Sequence, residues 1–330
     1  MRRPWTILAV VALVCLLAAI PGAARQNRLA VGFGGVKQVP HTATLIAMER
    51  LRDRGYEPEP VFLPQTQLTI PAVMRGEIDF GLPDPISAAT AIMRGVPIAI
   101  VGAYAMPGLG QWVMVAPKAI TSPKQLARKR IAVHSLSSVS NMVVQFAIKK
   151  YAITSPQVLV IPGSVARAQA LLQNEIDATS VFIADAIRLE MVAPGRFHIL
   201  LDFKDMPVHD SVFVARRDWL STHQTETEDL LRSLIETHRR MAAGPEWGVA
   251  RALNLFPDQD PAFVSATVRA FIARGIWDAN AGVPNGPDTI RNMIKHLKTV
   301  EALPANASED PAYYADLTAL DHVLAKVGRK

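Results

Sequence analysis

An eight-residue pattern occurs twice in this chain, as AVMRGEID at residues 72–79 and as ALLQNEID at residues 170–177. In both copies an apolar stretch ends at Gly76 or Asn174, the two residue types that best tolerate the left-handed conformation at the C-terminus of a helix. Each copy continues through Glu-Ile-Asp into a short run of small or apolar residues that is typical of a buried strand. The repeat therefore predicts two lobes of similar construction.

The first 24 residues have the pattern of a secretory signal peptide. Arg2 and Arg3 precede an apolar run at residues 5–20, and small residues suited to cleavage follow at 21–24. We expect cleavage after Ala24, with an uncleaved membrane anchor as the alternative, although the run is short for a membrane span. Cys15 is the only cysteine and lies within this run, so we expect the mature chain to be free of thiols and lipid.

The charge of the chain argues against a nucleic-acid partner. Loss of Arg2 and Arg3 lowers the formal net charge from +6 to +4, a mild excess for a chain of this length. The basic pairs at 149–150 and 239–240 lie on the polar sides of helix-like segments without interleaved aromatic residues, which is typical of solvated surfaces. Half of the residues are apolar, enough for two globular lobes.

Strands and helices alternate along the first two thirds of the chain. In the first lobe we expect strands at 29–33, 59–63, 80–82 and 98–104, and helices at 42–54, before Arg75 and at 87–94. In the second lobe we expect strands at 130–133, 157–161 and 178–182, and helices at 139–151, 165–173 and 184–191. This alternation predicts an α/β fold with two doubly wound, mostly parallel sheets.

Two further strands, at 112–116 and 211–215, flank the second unit and are candidates for the hinge. We therefore predict one lobe from residues 25–116 and 216–330, and a second from 117–215. The C-terminal region has a helical pattern, with an expected capping box at Thr225 and Glu228 and further helices at 261–274, 287–299 and 311–327. We expect this helical tail to pack on the first lobe.

Several segments in the first two thirds of the chain resemble the solute-binding proteins of ABC importers, and in particular the group that binds nitrate, sulfonates, taurine and thiamine precursors. The resemblance spans about residues 28–245 and rests on an ordered set of segments: 29–33, RGEID at 75–79, SAATA at 87–91, RGVP at 94–97, SPKQL at 122–126, KRIAV at 129–133 and NEIDA at 174–178. It implies a type II periplasmic binding protein fold, in which two lobes close over one small solute and deliver it to an ABC permease and ATPase complex.

Ligands in open α/β sheets bind at the carboxyl ends of the strands, so the loops that follow the strands hold the candidate ligand-binding residues. In the first lobe these are Gly34, Gly35, Gln38, His41, Gln65, Thr66 and Asp84. The glycines allow backbone N–H groups to approach a ligand, and the amides and the hydroxyl donate or accept hydrogen bonds. Asp84 follows a strand and precedes a helix, so it is either a ligand contact or an N-terminal helix cap.

In the second lobe the corresponding loops contain His134, Ser135, Ser137, Ser138, Ser164, Phe182 and Asp185. Three hydroxyls at the start of a helix favour a site for a carboxylate, sulfonate or phosphate. Arg167 is either an anion ligand or an exposed helix residue. Trp112, His209 and Asp210 lie at the crossings between the lobes, and the tryptophan is more often a core residue than a stacking platform.

The sequence argues against catalysis, although a related branch of the resembled family makes a pyrimidine precursor of thiamine. It contains no Gly-x-Ser-x-Gly or His-Glu-x-x-His motif, and its histidines lack the spacing of metal ligands. We expect a monomeric periplasmic binding protein, without cofactor or metal, for an anionic sulfonate, oxoanion, carboxylate or pyrimidine-like solute. A ligand sensor for a membrane receptor kinase and, less favoured, a thiamine-precursor synthase-like enzyme are the alternatives.

Overall fold

The computed structural model describes residues 27–105, 108–136 and 138–330, and these form two α/β lobes. The predicted signal peptide lies outside the described residues. Each lobe is built on one five-stranded mixed sheet with helices around it, which confirms the predicted fold class. Within the described ranges no helix is long and apolar enough to cross a membrane.

The first sheet is parallel except for one strand. Its order is β2 (Glu57–Leu63), β1 (Arg28–Gly34), β3 (Phe80–Gly81), β10 (Val212–Arg216) and β4 (Ile98–Ala103). Strand β1 pairs in parallel with β2 and β3, and β10 runs antiparallel to β3 and β4. Because helices cover the sheet, residues 29–33 of β1 are buried on both faces.

The second sheet repeats this plan. Its order is β7 (Gln157–Val160), β6 (Arg130–Val133), β8 (Ala178–Phe182), β5 (Trp112–Pro117) and β9 (Phe197–Asp202). Strand β6 pairs in parallel with β7 and β8, whereas β5 runs antiparallel to β8 and β9. Strand β9 at the sheet edge was not predicted from the sequence.

The chain crosses between the lobes twice, after β4 and after β9. Each crossing leads directly into the antiparallel strand of the sheet that it enters, β5 in the second lobe and β10 in the first. If each lobe is defined by its own sheet, the two crossings are residues 104–111 and 203–211. The lobe boundaries predicted from the sequence remain a prediction.

The two copies of the sequence repeat form the same turn. Gly76 and Asn174 both have left-handed backbones, with φ of 68° and 61°. The N–H groups of Glu77 and Glu175 donate to carbonyls five residues earlier, at 3.0 and 2.9 Å, and so close the ends of the two helices. The predicted helix stops are confirmed.

The aspartate that ends each copy bonds the second strand of its own five-stranded sheet, β1 or β6. Asp79 Oδ2 accepts a hydrogen bond of 2.7 Å from the backbone N–H of Ala30 in β1. Asp177 Oδ2 accepts the equivalent bond, of 2.8 Å, from the N–H of Arg130 in β6. The same residue type thus performs the same structural task in both lobes.

Most predicted helices of the two lobes are present within a few residues of their expected ends. In the first lobe they are α1 (Thr42–Leu51), α2 (Thr69–Met74) and α3 (Pro85–Met93). In the second lobe they are α4 (Val139–Tyr151), α5 (Ser164–Leu172) and α6 (Ile183–Val192). The C-terminal helices are α7 (Arg217–Leu220), α8 (Gln224–Ala243), α9 (Pro245–Leu255), α10 (Pro261–Ala273), α11 (Pro287–Thr299), α12 (Pro311–Tyr314) and α13 (Thr318–Val327).

Two predictions for the C-terminal region are wrong. Helix α8 begins one residue before Thr225, and the carboxylate of Glu228 bonds His322 and Lys326 instead of capping the helix. The helix predicted at 311–327 is interrupted because Ala315 is extended and forms a bridge with Ile100 of β4. Helix α9 was not predicted from the sequence.

The C-terminal helices pack on the first lobe, as expected. Helix α8 lies against α1, and ion pairs join Arg50 to Glu236 at 2.7 Å and Arg54 to Asp229 at 2.9 Å. Helix α13 packs on α8 and on β4. Helix α10 also contacts α6, so the tail forms part of the contact between the lobes.

Candidate functional site

A cavity of about 70 Å³ lies between the lobes. Its walls combine aromatic rings, amides, three hydroxyls and a carboxylate from both lobes and both crossings. The lining residues are Phe33, Gly34, Gln38, Pro40, His41, Thr66, Leu82, Tyr104, Gln111, Phe182, Asp210 and Ser211.

The topology of the two sheets places these residues together. The lining residues from the first lobe follow the carboxyl ends of β1, β2, β3 and β4, and Phe182 is the last residue of β8. Strands β5 and β10 run antiparallel to their neighbours, so the residues that precede them lie at the same edge. This is the edge at which open α/β sheets bind ligands.

The loop after β1 is held by backbone contacts. Gly34 adjoins the backbone of Thr66 so closely that an added Cβ would lie 2.4 Å from Thr66 Cα. The N–H of Gly35, where φ is 86°, donates to Leu63 O at 2.6 Å. The glycines therefore allow the loops after β1 and β2 to meet at the cavity wall.

His41 closes this loop as a neutral side chain. Its Nδ1 accepts a hydrogen bond of 3.3 Å from the N–H of Gln38, and its ring packs against Phe33 with the centroids 5.0 Å apart. One side of the ring faces the cavity, yet burial by the surrounding protein lowers the pKa of His41 to about 4. The ring is therefore uncharged at neutral pH.

Asp210 is the acceptor at the centre of a hydrogen-bond network at the crossings. Its Oδ1 accepts from Trp112 Nε1 at 2.5 Å, and its Oδ2 accepts from Ser211 Oγ at 3.1 Å. Gln111 is a third hydrogen-bond partner of this carboxylate. Burial raises the pKa of Asp210, and these three hydrogen bonds oppose the rise.

Tyr104 extends the network to the first lobe. Its hydroxyl lies 2.9 Å from Gln111 Oε1 and 3.2 Å from Pro40 O. Burial raises the pKa of Tyr104 well above its usual value, and the negative charge of Asp210 adds to the rise. The hydroxyl is thus protonated and serves as a donor within the wall of the cavity.

Asp84 caps helix α3. Its Oδ1 accepts from the N–H of Ser87 at 2.9 Å, and its Oδ2 accepts from Ser87 Oγ at 2.7 Å. Burial raises the pKa of Asp84, and the nearby charge of Asp210 raises it further against the hydrogen bonds from Ser87. Asp84 therefore acts as the helix cap that was one of its two predicted roles, and it brings a second carboxyl group close to Asp210.

The hydroxyls of the second lobe bond mainly within their own loops. Ser138 Oγ donates to Ser135 O at 2.7 Å, and Ser140 Oγ bonds the N–H of His134 at 2.7 Å. His134 Nδ1 accepts from the N–H of Gly163 at 3.0 Å. Ser137 lies outside the described residues.

Arg167, Ser164 and Asp185 form a separate cluster. The guanidinium of Arg167 is fully buried and donates to Ser180 O and Ile161 O at 3.1 and 3.2 Å, while Ser164 Oγ donates to the Asp185 carboxylate. Burial lowers the pKa of Arg167 to about 10, and attraction to Asp185 opposes this. The alternative of an exposed helix arginine is wrong, because the side chain fixes the strands and loops of its own lobe.

The structure brings five of the predicted ligand-binding residues to the cavity wall, Gly34, Gln38, His41, Thr66 and Phe182. Two other predicted side chains bond near it: Gln65 with Gln67, and Asp84 with Ser87. The remaining described candidates, Gly35, His134, Ser135, Ser138, Ser164 and Asp185, do not line it. Ligand contact by any of them stays a prediction.

Sequence reasoning did not select Phe33, Tyr104, Gln111 or Ser211, and it noted Asp210 only as a crossing residue. Tyr104 is the last residue of a predicted strand, so its position at a strand end was an available signal. Gln111 and Ser211 precede their strands, and only the antiparallel direction of β5 and β10 places them at this edge.

A larger cavity, of about 580 Å³, lies at the opposite edge of the first sheet. It is lined by Arg28 at the start of β1, by Arg216 at the end of β10, and by Trp219 and Glu226 after β10. Ligands of open α/β sheets bind at the other edge, so the smaller cavity between the lobes is the candidate site. Across the described ranges, no group of three or more His, Cys, Asp or Glu could hold a metal ion.

The fold is similar to that of known solute-binding proteins. One is the periplasmic aliphatic sulphonate binding protein SsuA of Escherichia coli (16% identity, 74% of this chain and 79% of that chain, TM-score 0.61). Another is the periplasmic nitrate-binding protein NrtA of Synechocystis PCC 6803 (12%, 92% and 90%, TM-score 0.69). A third is a ligand-binding component of an ABC-type import system from Staphylococcus aureus (14%, 90% and 99%, TM-score 0.71).

The family assignment rests on the sequence itself. No curated protein sequence matches the chain significantly. The family model described as NMT1/THI5 like matches residues 59–247, more than half of the chain, and this range includes both copies of the repeat. The chain therefore belongs to the NMT1/THI5-like family and has the fold of the periplasmic solute-binding proteins of ABC importers.

Proposed function

We propose that this chain is an exported, monomeric substrate-binding protein that encloses a small solute between its two lobes and delivers it to an ABC permease and ATPase complex in the periplasm. The observation that carries the proposal is the interlobe cavity. Its walls come from both lobes and both crossings, so a solute within it touches each part that moves when the lobes separate.

Hinge closure gives such a cavity its specificity. A solute shifts the balance between open and closed forms only if it binds the closed form more strongly, which requires contacts to both lobes. Phe182 is the contact from the second lobe, and its ring packs on Trp112 with the centroids 4.7 Å apart. Closure also removes water from the hydrogen bonds of Asp210 and Gln38, so a mismatched solute leaves buried polar groups unpaired.

The two lobes also touch outside the cavity. Arg188 of α6 lies over the ring of Phe263 in α10, 3.8 Å from its centroid, and donates to Gln259 Oε1 at 3.0 Å. Separation of the lobes would break these exposed contacts at little cost, since surface pairs of this kind contribute about 0.5–1 kcal/mol each. Such a contact fits a receptor that opens to release its solute.

The test is a thermal-shift and calorimetric screen of the mature chain against alkanesulfonates, nitrate, carboxylates and pyrimidines. A bound solute should raise the melting temperature by a few degrees, since saturation at 100 times Kd stabilises a protein by about 2.7 kcal/mol. Small-angle X-ray scattering should show a smaller radius of gyration with solute. Failure of every compound to bind, together with failure of guanidinium and urea, would contradict the proposal.

A matched pair of variants links binding to the cavity. Phe182→Ala removes the second-lobe wall and should abolish the shift, whereas Ile199→Ala, at an exposed position of the same lobe, should preserve it. Recovery of the solute unchanged after incubation would distinguish a receptor from an enzyme. Copurification with a sensor kinase instead of a permease would favour the sensing alternative.

A further inference from the structure

We propose that the interlobe cavity selects a small neutral or cationic solute that carries N–H donors, such as an amide, amidine or guanidine group, and rejects anions such as nitrate and alkanesulfonates. The inference rests on the proposed function, because it concerns the charge of the solute that the lobes enclose. It departs from the anionic solutes named for the structural neighbours and expected here from the sequence.

The wall of the cavity contains a carboxylate, that of Asp210. Asp210 lines the cavity, and it accepts hydrogen bonds from Trp112, Ser211 and Gln111. A carboxylate offers about four acceptor positions, so a position remains for a donor on the solute. Burial raises the pKa of Asp210, and the three donors from the protein oppose this rise.

Among the described residues that line the cavity, none is a lysine or an arginine. The closest histidine, His41, is neutral because burial lowers its pKa, and its Nδ1 is occupied by the N–H of Gln38. Asp84 is buried close enough to Asp210 that the charge of Asp210 raises the pKa of Asp84. An anion that entered would lose its water and meet the acceptor oxygens of Asp210 without a cation to balance its charge.

Two cations from the segments that follow β1 and β7 make other bonds. Lys37 Nζ, in the loop after β1, donates to Leu255 O at 2.7 Å. Arg167 donates to Ser180 O and lies buried in the second lobe. Each is satisfied by the protein, so a binding anion would have to break an existing hydrogen bond to recruit one of them.

The size of the cavity limits the solute. A volume of about 70 Å³ has room for a few waters or a solute of similar size, because one water needs roughly 10–15 Å³ of such space. Guanidinium, urea and nitrate are planar, have the same shape and fit this limit. They differ in charge and in whether they donate or accept hydrogen bonds, so they form a matched series of probes.

The experiment measures the binding of guanidinium, urea and nitrate to the mature protein by calorimetry, at equal ionic strength and at millimolar concentrations that do not unfold proteins. We expect guanidinium to bind most tightly, urea more weakly, and nitrate not at all. Asp210→Asn should weaken guanidinium binding by about tenfold or more. Asp205→Asn, at an exposed position of the same crossing, should leave it unchanged.

Nitrate binding as tight as that of guanidinium would overturn the inference, and so would the absence of binding by all three probes. Guanidinium binding that survives Asp210→Asn would overturn the role of this carboxylate. The comparison of the three probes needs only the unmodified protein, so it holds even if a variant fails to fold. If nitrate or an alkanesulfonate closes the lobes, the inference about charge fails while the proposed function stands.

Discussion

Trp112 Nε1 donates a hydrogen bond of 2.5 Å to Asp210 Oδ1, and this bond joins the two segments of chain that cross between the lobes. Trp112 opens β5 and Asp210 precedes β10, so the bond links the two antiparallel strands at their cavity ends. The same indole packs edge-on against Phe182. Trp112 therefore connects the hinge region with the wall of the candidate site.

Trp112→Phe should lower both stability and solute affinity. The change keeps most of the ring packing and removes one donor from a buried carboxylate, which costs about 1–3 kcal/mol. Urea unfolding measures the loss of stability, and calorimetry measures the affinity. Trp247→Phe is the control, because Trp247 is a partly exposed residue that stacks with Arg240 far from the crossings. Equal effects of the two substitutions would contradict a special role for Trp112.

Gly34→Ala should be more damaging than Gly35→Ala. An alanine Cβ at position 34 would lie 2.4 and 2.6 Å from backbone atoms of Thr66, so the two loops would have to separate, at a cost of about 1–3 kcal/mol or more. At position 35 the nearest atom would be 3.9 Å away, leaving only left-handed backbone strain of about 1–2 kcal/mol. Chemical unfolding of both variants checks this order, and the reverse order would contradict the observed contact.

His41 should make the protein less stable in acid. Its pKa is about 4 when folded and about 6.5 when unfolded, so the unfolded chain binds more protons between these values. The free energy of unfolding should therefore fall as the pH drops from 6.5 to 4. In His41→Asn this fall should be smaller by about 2–3 kcal/mol, as measured by urea unfolding across the range. For each protein the free energy of unfolding is compared with its own value at pH 8. At that pH His41 is neutral in both the folded and the unfolded state of the unmodified protein. Parallel curves for the two proteins would refute the assignment.

Asp79 and Asp177 should contribute similarly to their own lobes. Each accepts a backbone N–H from an interior strand, β1 or β6, so Asp79→Ala or Asp177→Ala leaves a donor unpaired at a cost of about 1–3 kcal/mol. The double variant should lose the sum of the two within about 0.5 kcal/mol, because the sites lie in separate sheets. Calorimetric unfolding of the four proteins tests this. A strongly non-additive result would show that the two lobes do not stabilise their strands independently.

Arg188→Ala should favour the open form. It removes the stacking on Phe263 and the bond to Gln259 that join α6 to α10, which is worth about 0.5–1 kcal/mol at an exposed site. Solute affinity should fall by about two- to fivefold, and the radius of gyration without solute should increase. Arg196→Ala is the control, because Arg196 stacks on Phe197 within the second lobe. A loss of affinity as large in the control would rule out an effect through lobe contact.

Much of the fold could be predicted because its signals are local. Helix α4 has its expected bounds, Val139–Tyr151, since its apolar residues follow helical spacing without interruption. Glu228, in contrast, has the spacing of a capping box but bonds His322 and Lys326 of α13, a helix that is distant in the sequence. Local patterns failed where a partner from another element was available.

The candidate site was predictable in part. Gly34, Gln38, His41, Thr66 and Phe182 line the cavity because they follow strands whose ends meet at one edge. Ser135, Ser137 and Ser138 after β6 were expected to offer hydroxyls to a ligand; Ser138 donates to Ser135 O, and ligand contact by these residues stays a prediction. Serine hydroxyls readily form hydrogen bonds with nearby backbone groups, so the presence of several serines in a loop does not by itself identify a binding site.

The sequence by itself determined that the protein has two lobes of similar construction. The helix stops at Gly76 and Asn174 depend on backbone preferences that act within a few residues. Only the tertiary structure decided that β5 joins the second sheet and β10 the first, and that Asp210 meets Trp112 from 98 residues away. Pairing of this kind depends on burial and on partners distant in the chain. The charge of the cavity follows from it, because folding brings Asp210 into the wall while Arg167 and Lys37 bond elsewhere.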